Sequence, residues 1–259
     1  MKLYQHLSDQ TPKGTVISAH GYAEHSGRYT HFFEALNNAA YDVWAIDFTG
    51  HGHADGKRAQ VNVGALITAH MEARRDIQFE TRTEKMHLFG HSMGGLVALA
   101  SGLLMPHHLT SMVVTGPGLR PRPRLGMASV KAGVFIAKFL PGFGTVKLDS
   151  TLLTHDPEMV AERDADELVY VGKAPLLTGA TMMLQGDYVI QNAPLLTKPA
   201  LILHGGDDQV VDISGAEEFV SRAGDLAQLK VLPGQYHELL HEVEREQTIR
   251  DIIDWLDGQ

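Results

Sequence analysis

The chain has 259 residues, with 31 acidic against 22 basic side chains and a net charge of -9. That length buries a sizeable single core, and the acidic balance lacks the basic footprint of a nucleic-acid binder. There is no cysteine, which excludes disulfides, thiol nucleophiles and cysteine-based zinc sites. Met1–His6 shows no apolar core of a signal peptide, and no apolar run is long enough to span a bilayer. The expectation is a soluble, cytoplasmic protein, with peripheral membrane contact left open.

In chain order, a strand is expected over Thr15–Ala19, a helix over Tyr29–Asn38 and a strand over Val43–Asp47. A helix over Gly64–Thr81 follows, then a strand over Met86–Phe89, a helix over Gly94–Met105 and a strand over Met112–Thr115. The rhythm breaks after Gly116 and resumes with strands at Ala200–His204 and Leu229–Leu232, with helices over Ser214–Ala223 and Glu244–Leu256. Alternating strands and helices, the strands apolar throughout, predict an α/β fold with a mostly parallel sheet covered on both faces. No internal repeat is present.

The intervening stretch, 117–196, reads as an insertion between two strands of one core made of 1–116 and 197–259. It opens with Pro117, Pro121 and Pro123 interleaved with Arg120, Arg122 and Arg124. Those arginines admit two readings, a basic patch for anionic lipid or a stiff proline hinge with solvated arginines. A helix-like run follows, with Met127, Val130, Val134, Phe135, Phe139 and Leu140 apolar beside Lys131 and Lys138. An inserted helical segment over the strand ends would act as a lid. Val134, Phe135, Phe139, Leu140, Phe143, Leu148, Leu152 and Leu153 are its candidates for lining an apolar substrate pocket.

Gly90-His91-Ser92-Met93-Gly94 sits between a strand and a helix, the setting of a nucleophile elbow. A serine hydroxyl is a weak nucleophile at neutral pH, so a histidine must take its proton and a carboxylate must orient that histidine. Ligands of open α/β sheets bind beyond the carboxyl ends of the strands. There the chain offers Ser92, then Asp207 and Asp208, then His237, in the order of this hydrolase type. His237 closely follows the last strand and is preferred over His241. The two aspartates compete, and either suits a turn. The oxyanion hole requires the backbone N–H of Met93 and one from the loop after the first strand, which is Tyr22. Fifteen histidines raise the question of zinc, but neither His51-Gly52-His53 nor His107-His108 has a third ligand at helical spacing. Those pairs read as turn and surface histidines, and neither metal nor organic cofactor is expected.

Taken together, His20-Gly21-Tyr22-Ala23-Glu24-His25-Ser26-Gly27-Arg28-Tyr29, Asp47-Phe48-Thr49-Gly50-His51-Gly52, the elbow with Gly95, and Tyr236-His237-Glu238 resemble the monoacylglycerol lipase (serine-aminopeptidase-like) branch of the α/β-hydrolases. The resemblance implies that the acid is Asp208, directly before Gln209-Val210-Val211, and that 117–196 caps an acyl-chain tunnel. It implies hydrolysis of a lipid ester, with release of glycerol from monoacylglycerols. Short-chain esterase, lysophospholipase and thioesterase readings use the same triad. A non-catalytic binding protein on this fold would have a broken triad, whereas all three positions are filled. Thr49 stands where the branch usually has arginine and Ala54 where it has serine, and altered loop packing without loss of catalysis is the expectation. The branch's N-terminal strand pair is absent or reduced to Lys2–Leu7, which predicts a trimmed sheet edge.

Overall fold

The computed structural model describes residues 1–259. The chain opens with β1 (Lys2–His6) and β2 (Gly14–Ala19), then alternates α1 (Thr30–Asn38), β3 (Tyr41–Asp47), α2 (Val63–Ile77), β4 (Met86–His91), α3 (Met93–Leu104) and β5 (Ser111–Thr115). The insertion contributes α4 (Met127–Ile136), β6 (Gly144–Lys147), α5 (Pro157–Ala165), β7 (Lys173–Pro175) and α6 (Leu176–Asn192). The chain closes with β8 (Ala200–Gly205), α7 (Ser214–Ala223), β9 (Ala227–Leu232) and α8 (Arg245–Asp257).

Seven strands form the main sheet in the order β1-β3-β2-β4-β5-β8-β9. All neighbours are parallel except β1, which runs antiparallel along β3. The expected trimmed edge is therefore this single strand. The inner strands β2, β3, β4, β5 and β8 are buried on both faces, and their alternate residues feed two cores. Ile17, Trp44, Leu88 and Ile202 face one core with α2, α3 and α7, whereas Val16, Val43, Phe89 and Leu203 face the other with α1 and α8. This is the α/β-hydrolase arrangement. Crossovers bring the carboxyl ends of β2, β3, β4, β8 and β9, and the loops that follow them, to one edge.

The insertion is not purely helical. β6 and β7 pair as an antiparallel ribbon, short and largely exposed, so it carried no alternation to read. α6 packs on α2, α3 and α7, and its Met182, Val189 and Ile190 belong to the larger core. In the proline-arginine stretch Arg122 and Arg124 are exposed, as a hinge with solvated arginines predicts, whereas Arg120 is tied down. Arg120 pairs with Glu218 and Ser214 of α7, and Arg122 and Arg124 lie against Asp212. The Arg122 N–H donates to the Val210 carbonyl at 2.9 Å, so the entry to the insertion is fastened to the loop after β8. No helix is long and apolar enough to cross a membrane.

Candidate active site

β4 ends at His91 and α3 begins at Met93, leaving Ser92 alone in the turn at φ +50° and ψ -115°. A positive φ on a residue with a Cβ is strained, and it persists because neighbours over-determine it. A Cβ on Gly90 would run into the Gly94 carbonyl, and one on Gly94 into the Ala19 carbonyl. These two glycines let the turn close against β2 and lift the serine hydroxyl above the sheet.

His237 follows β9, and its Nε2 lies 2.9 Å from Ser92 Oγ. Its Nδ1–H donates to Asp208 Oδ2 at 2.7 Å. Asp208 is held in turn by the N–H groups of Val210 and Val211, which donate to Oδ1 at 2.8 and 2.9 Å. Asp207 is exposed on the outside of the same turn. His241 instead meets the Arg28 carbonyl at 3.1 Å. Burial alone would depress the His237 imidazole, but the charge and hydrogen bond of Asp208, with Glu238 and Glu24 nearby, outweigh it and raise its pKa. Burial opposes ionisation of Asp208, yet His237 and His204 hold its carboxyl well below the usual range.

Met93 is the first residue of α3, so its N–H has no partner within the helix and faces outward with the positive end of the dipole. Tyr22 lies in the loop after β2. The preceding N–H, that of Gly21, donates to Glu24 Oε1 at 2.6 Å, which also accepts from the Tyr29 hydroxyl at 2.6 Å. Arg28 bridges Glu24 to Glu238, the residue after His237, donating to Glu238 at 3.0 and 2.8 Å. Burial raises both carboxyls, but Arg28 dominates and holds them below the usual carboxylate range. The loop after β2 and the loop after β9 thus share one buried cation. Glu24, Arg28 and Glu238 lie in the motifs, where the sequence assigns them no role. The signal was there, in the four-residue Glu24–Arg28 spacing and in an acid beside the candidate base.

Asp47 ties the loop that carries Thr49 and Ala54 to the loop after β2. Its carboxylate accepts from Ser26 N and Oγ at 2.9 and 2.8 Å and from His53 N at 2.9 Å, tying the two loops without an arginine. His51 sits in the turn as expected but is buried, not at the surface, and burial pushes its pKa down to about 3.

A cavity of about 150 Å³ opens above Ser92 beneath the insertion. Of the eight expected lining residues it contains Leu148 and Leu153 only, joined by Val146, Met182, Met183 and Val211. Val134, Phe135, Phe139, Leu140, Phe143 and Leu152 do not line it, which corrects the sequence expectation. α4 turns Val130 and Ala137 inward and leaves Phe135, Phe139, Leu140 and Phe143 between 57% and 72% exposed. An apolar stripe records that a face avoids polar residues, and not whether it meets protein or the outside.

A family model for the serine aminopeptidases, S33, matches residues 10–244. The chain belongs to this family. This S33-family chain is 33% identical over 250 residues to a monoacylglycerol lipase of Mycolicibacterium smegmatis, covering 96% of the chain and 89% of the relative. It is 29% identical over 241 residues to the human monoglyceride lipase, covering 90% and 78% respectively. Among solved structures, the Paleococcus ferrophilus monoacylglycerol lipase superposes with a TM-score of 0.88 at 28% identity, covering 99% of this chain and 98% of that one. The S33-family chain is an enzyme of the serine hydrolase type.

Proposed function

We propose that this enzyme is a carboxylester hydrolase acting on monoacylglycerols. The observation that carries it is the unbroken chain Ser92 Oγ–His237 Nε2–Asp208, at 2.9 and 2.7 Å, on the floor of a mostly apolar cavity. Ser92 attacks the ester carbonyl as His237 takes its proton, and Asp208 stabilises the imidazolium. The N–H groups of Tyr22 and Met93 hold the oxyanion. His237 then protonates the departing glycerol and activates the water that releases the fatty acid from Ser92. Leu148, Leu153, Met182 and Met183 suit an acyl chain, the methionines adapting to its shape. The names of the two relatives and of the solved lipase support the same substrate class.

The insertion, 117–196, serves in this reading as a lid. The Tyr170 N–H donates to the Ala23 carbonyl at 2.8 Å and the Glu238 N–H to the Leu153 carbonyl at 2.7 Å, anchoring it beside both catalytic loops. Its outward Phe135, Phe139, Leu140 and Phe143, with Lys131 and Lys138 exposed beside them, suit peripheral contact with a lipid surface. The deciding experiment is glycerol release from a chain-length series of monoacylglycerols, with matched p-nitrophenyl esters and Ser92→Ala as control. Serine-dependent preference for medium or long chains is expected. Turnover confined to short p-nitrophenyl esters overturns the acyl-chain assignment. Replacing Phe135 and Phe139 by serine should release the protein from phosphatidylglycerol vesicles without slowing p-nitrophenyl butyrate hydrolysis.

A further inference from the structure

We propose that His204 is a positioning residue for the acid of the triad: its Nε2–H, bonded to the Val211 carbonyl and lying against Asp208 Oδ2, fixes the turn that orients the Asp208 carboxylate and moderates its hold on His237. The proposal rests on the Ser92–His237–Asp208 reading above. His204 lies within β8, four residues before Asp208, and is wholly buried. Its Nε2 is 3.2 Å from Asp208 Oδ2 and 3.3 Å from the Val211 carbonyl oxygen. Its Nδ1 is buried and has no partner. Both atoms near Nε2 are acceptors and nothing accepts from Nδ1, so the ring carries its proton on Nε2.

Asp208 Oδ1 accepts from the amides of Val210 and Val211, and Oδ2 accepts His237 Nδ1–H at 2.7 Å with His204 Nε2 lying 3.2 Å away. The two amides stop the carboxylate from turning, His204 holds the carbonyl of one of those amide residues, and Oδ2 lies between two imidazoles. When Ser92 attacks, His237 becomes an imidazolium whose charge is stabilised through that oxygen. The positive Nε2–H edge of His204 beside the same oxygen makes it a weaker partner. His237 is then easier to deprotonate before attack and a better acid toward the leaving alkoxide. The other groups facing His237 are Glu238 in its own loop, Glu24 from the loop after β2, and His91 of β4, whose ring centre is 4.8 Å away. A substitution at His204 leaves all three in place. The cross-strand neighbour of His204 on β9 is Val231, which does not titrate.

The test is kcat/KM against pH for p-nitrophenyl butyrate, using the full chain with His204→Met, which removes the donor, and His204→Gln, which keeps an N–H at the same reach. His204→Met should move the acid limb up by about one pH unit, the scale of one close N–H contact to a carboxylate, and lower kcat about tenfold or more. His204→Gln should return the limb to the wild-type position. An unmoved limb in His204→Met, or an equal shift in both variants, overturns the proposal, since a merely structural role acts through shape and stability. Turnover surviving in Ser92→Ala is a different result, the failure of the triad itself. Should His204→Met not fold, imidazole 15N spectra of the wild type decide. A proton on Nε2 of His204 is expected, and one on Nδ1 refutes the argument.

Discussion

Replacing Arg28 by methionine is the sharpest test of how the loops after β2 and β9 are held together. The Arg28 side chain is 7% exposed, between Glu24 at 3% and Glu238 at 5%. Methionine keeps much of the volume and leaves two buried carboxylates without their cation. Of the other basic groups, Arg163 Nε lies 3.7 Å and His241 Nδ1 3.6 Å from Glu238, and burial lowers the His241 pKa to about 4. Glu24 keeps only the Gly21 amide and the Tyr29 hydroxyl. Removing one partner of a buried pair costs about 3–5 kcal/mol, a large share of the ~5–15 kcal/mol that holds a domain folded. The pH dependence carries the sign. In the wild type both carboxyls lie below their unfolded values, so their contribution is present above the unfolded pKa and is lost as pH falls. In Arg28→Met burial acts unopposed, one carboxyl rises above its unfolded value, and folding takes up a proton. The stability difference between the two proteins should therefore be greatest near neutrality and shrink on acidification by about 1.4 kcal/mol per pH unit for one proton. Urea unfolding followed by the fluorescence of Trp44 and Trp255 measures it. A difference below about 1 kcal/mol at pH 7, or one that does not change with pH, would refute the account of a buried clamp. Adding Glu24→Gln to Arg28→Met should recover part of the loss.

The triad makes further commitments. Ser92→Ala should abolish ester turnover with unchanged urea unfolding, and retained activity removes the nucleophile. Asp208→Asn should cost about four orders of magnitude in kcat, while Asp207→Asn should be mild, and the reverse pattern would exchange the two aspartates. Because Asp208 outweighs burial and raises His237 above 6.5, and attack needs the unprotonated ring, kcat/KM should fall as pH drops through a value above 6.5, read from a steady-state pH profile. His70 is wholly buried on α2 with neither ring nitrogen partnered, and burial holds its pKa near about 3. Its folded value lies below its unfolded one, so stability falls as pH drops below the unfolded value. His70→Leu should stabilise by about 1–3 kcal/mol at pH 7 and flatten the acid side of the urea-unfolding profile.

Much of the molecule follows from local pattern. The inner strands, buried on both faces, are written as largely apolar runs, and all six expected strands of the core appear, each one or two residues longer than expected. The elbow was legible because a serine at positive φ needs glycines on both sides, and Gly90 and Gly94 cannot be disguised. Chain order set Ser92, an aspartate and His237 at one sheet edge, since parallel crossovers return every strand in the same sense. The sequence alone did not separate Asp207 from Asp208, because a turn decides which of two adjacent side chains points inward. Tertiary structure alone turned Phe135, Phe139, Leu140 and Phe143 outward and brought Met182, Met183 and Val146 over the serine. It alone joined Glu24 to Glu238 through Arg28, across more than two hundred residues of chain. Periodicity and turn chemistry act between neighbours in sequence, whereas the shape of a cavity and the partner of a buried charge depend on which elements meet, and only the assembled fold decides that.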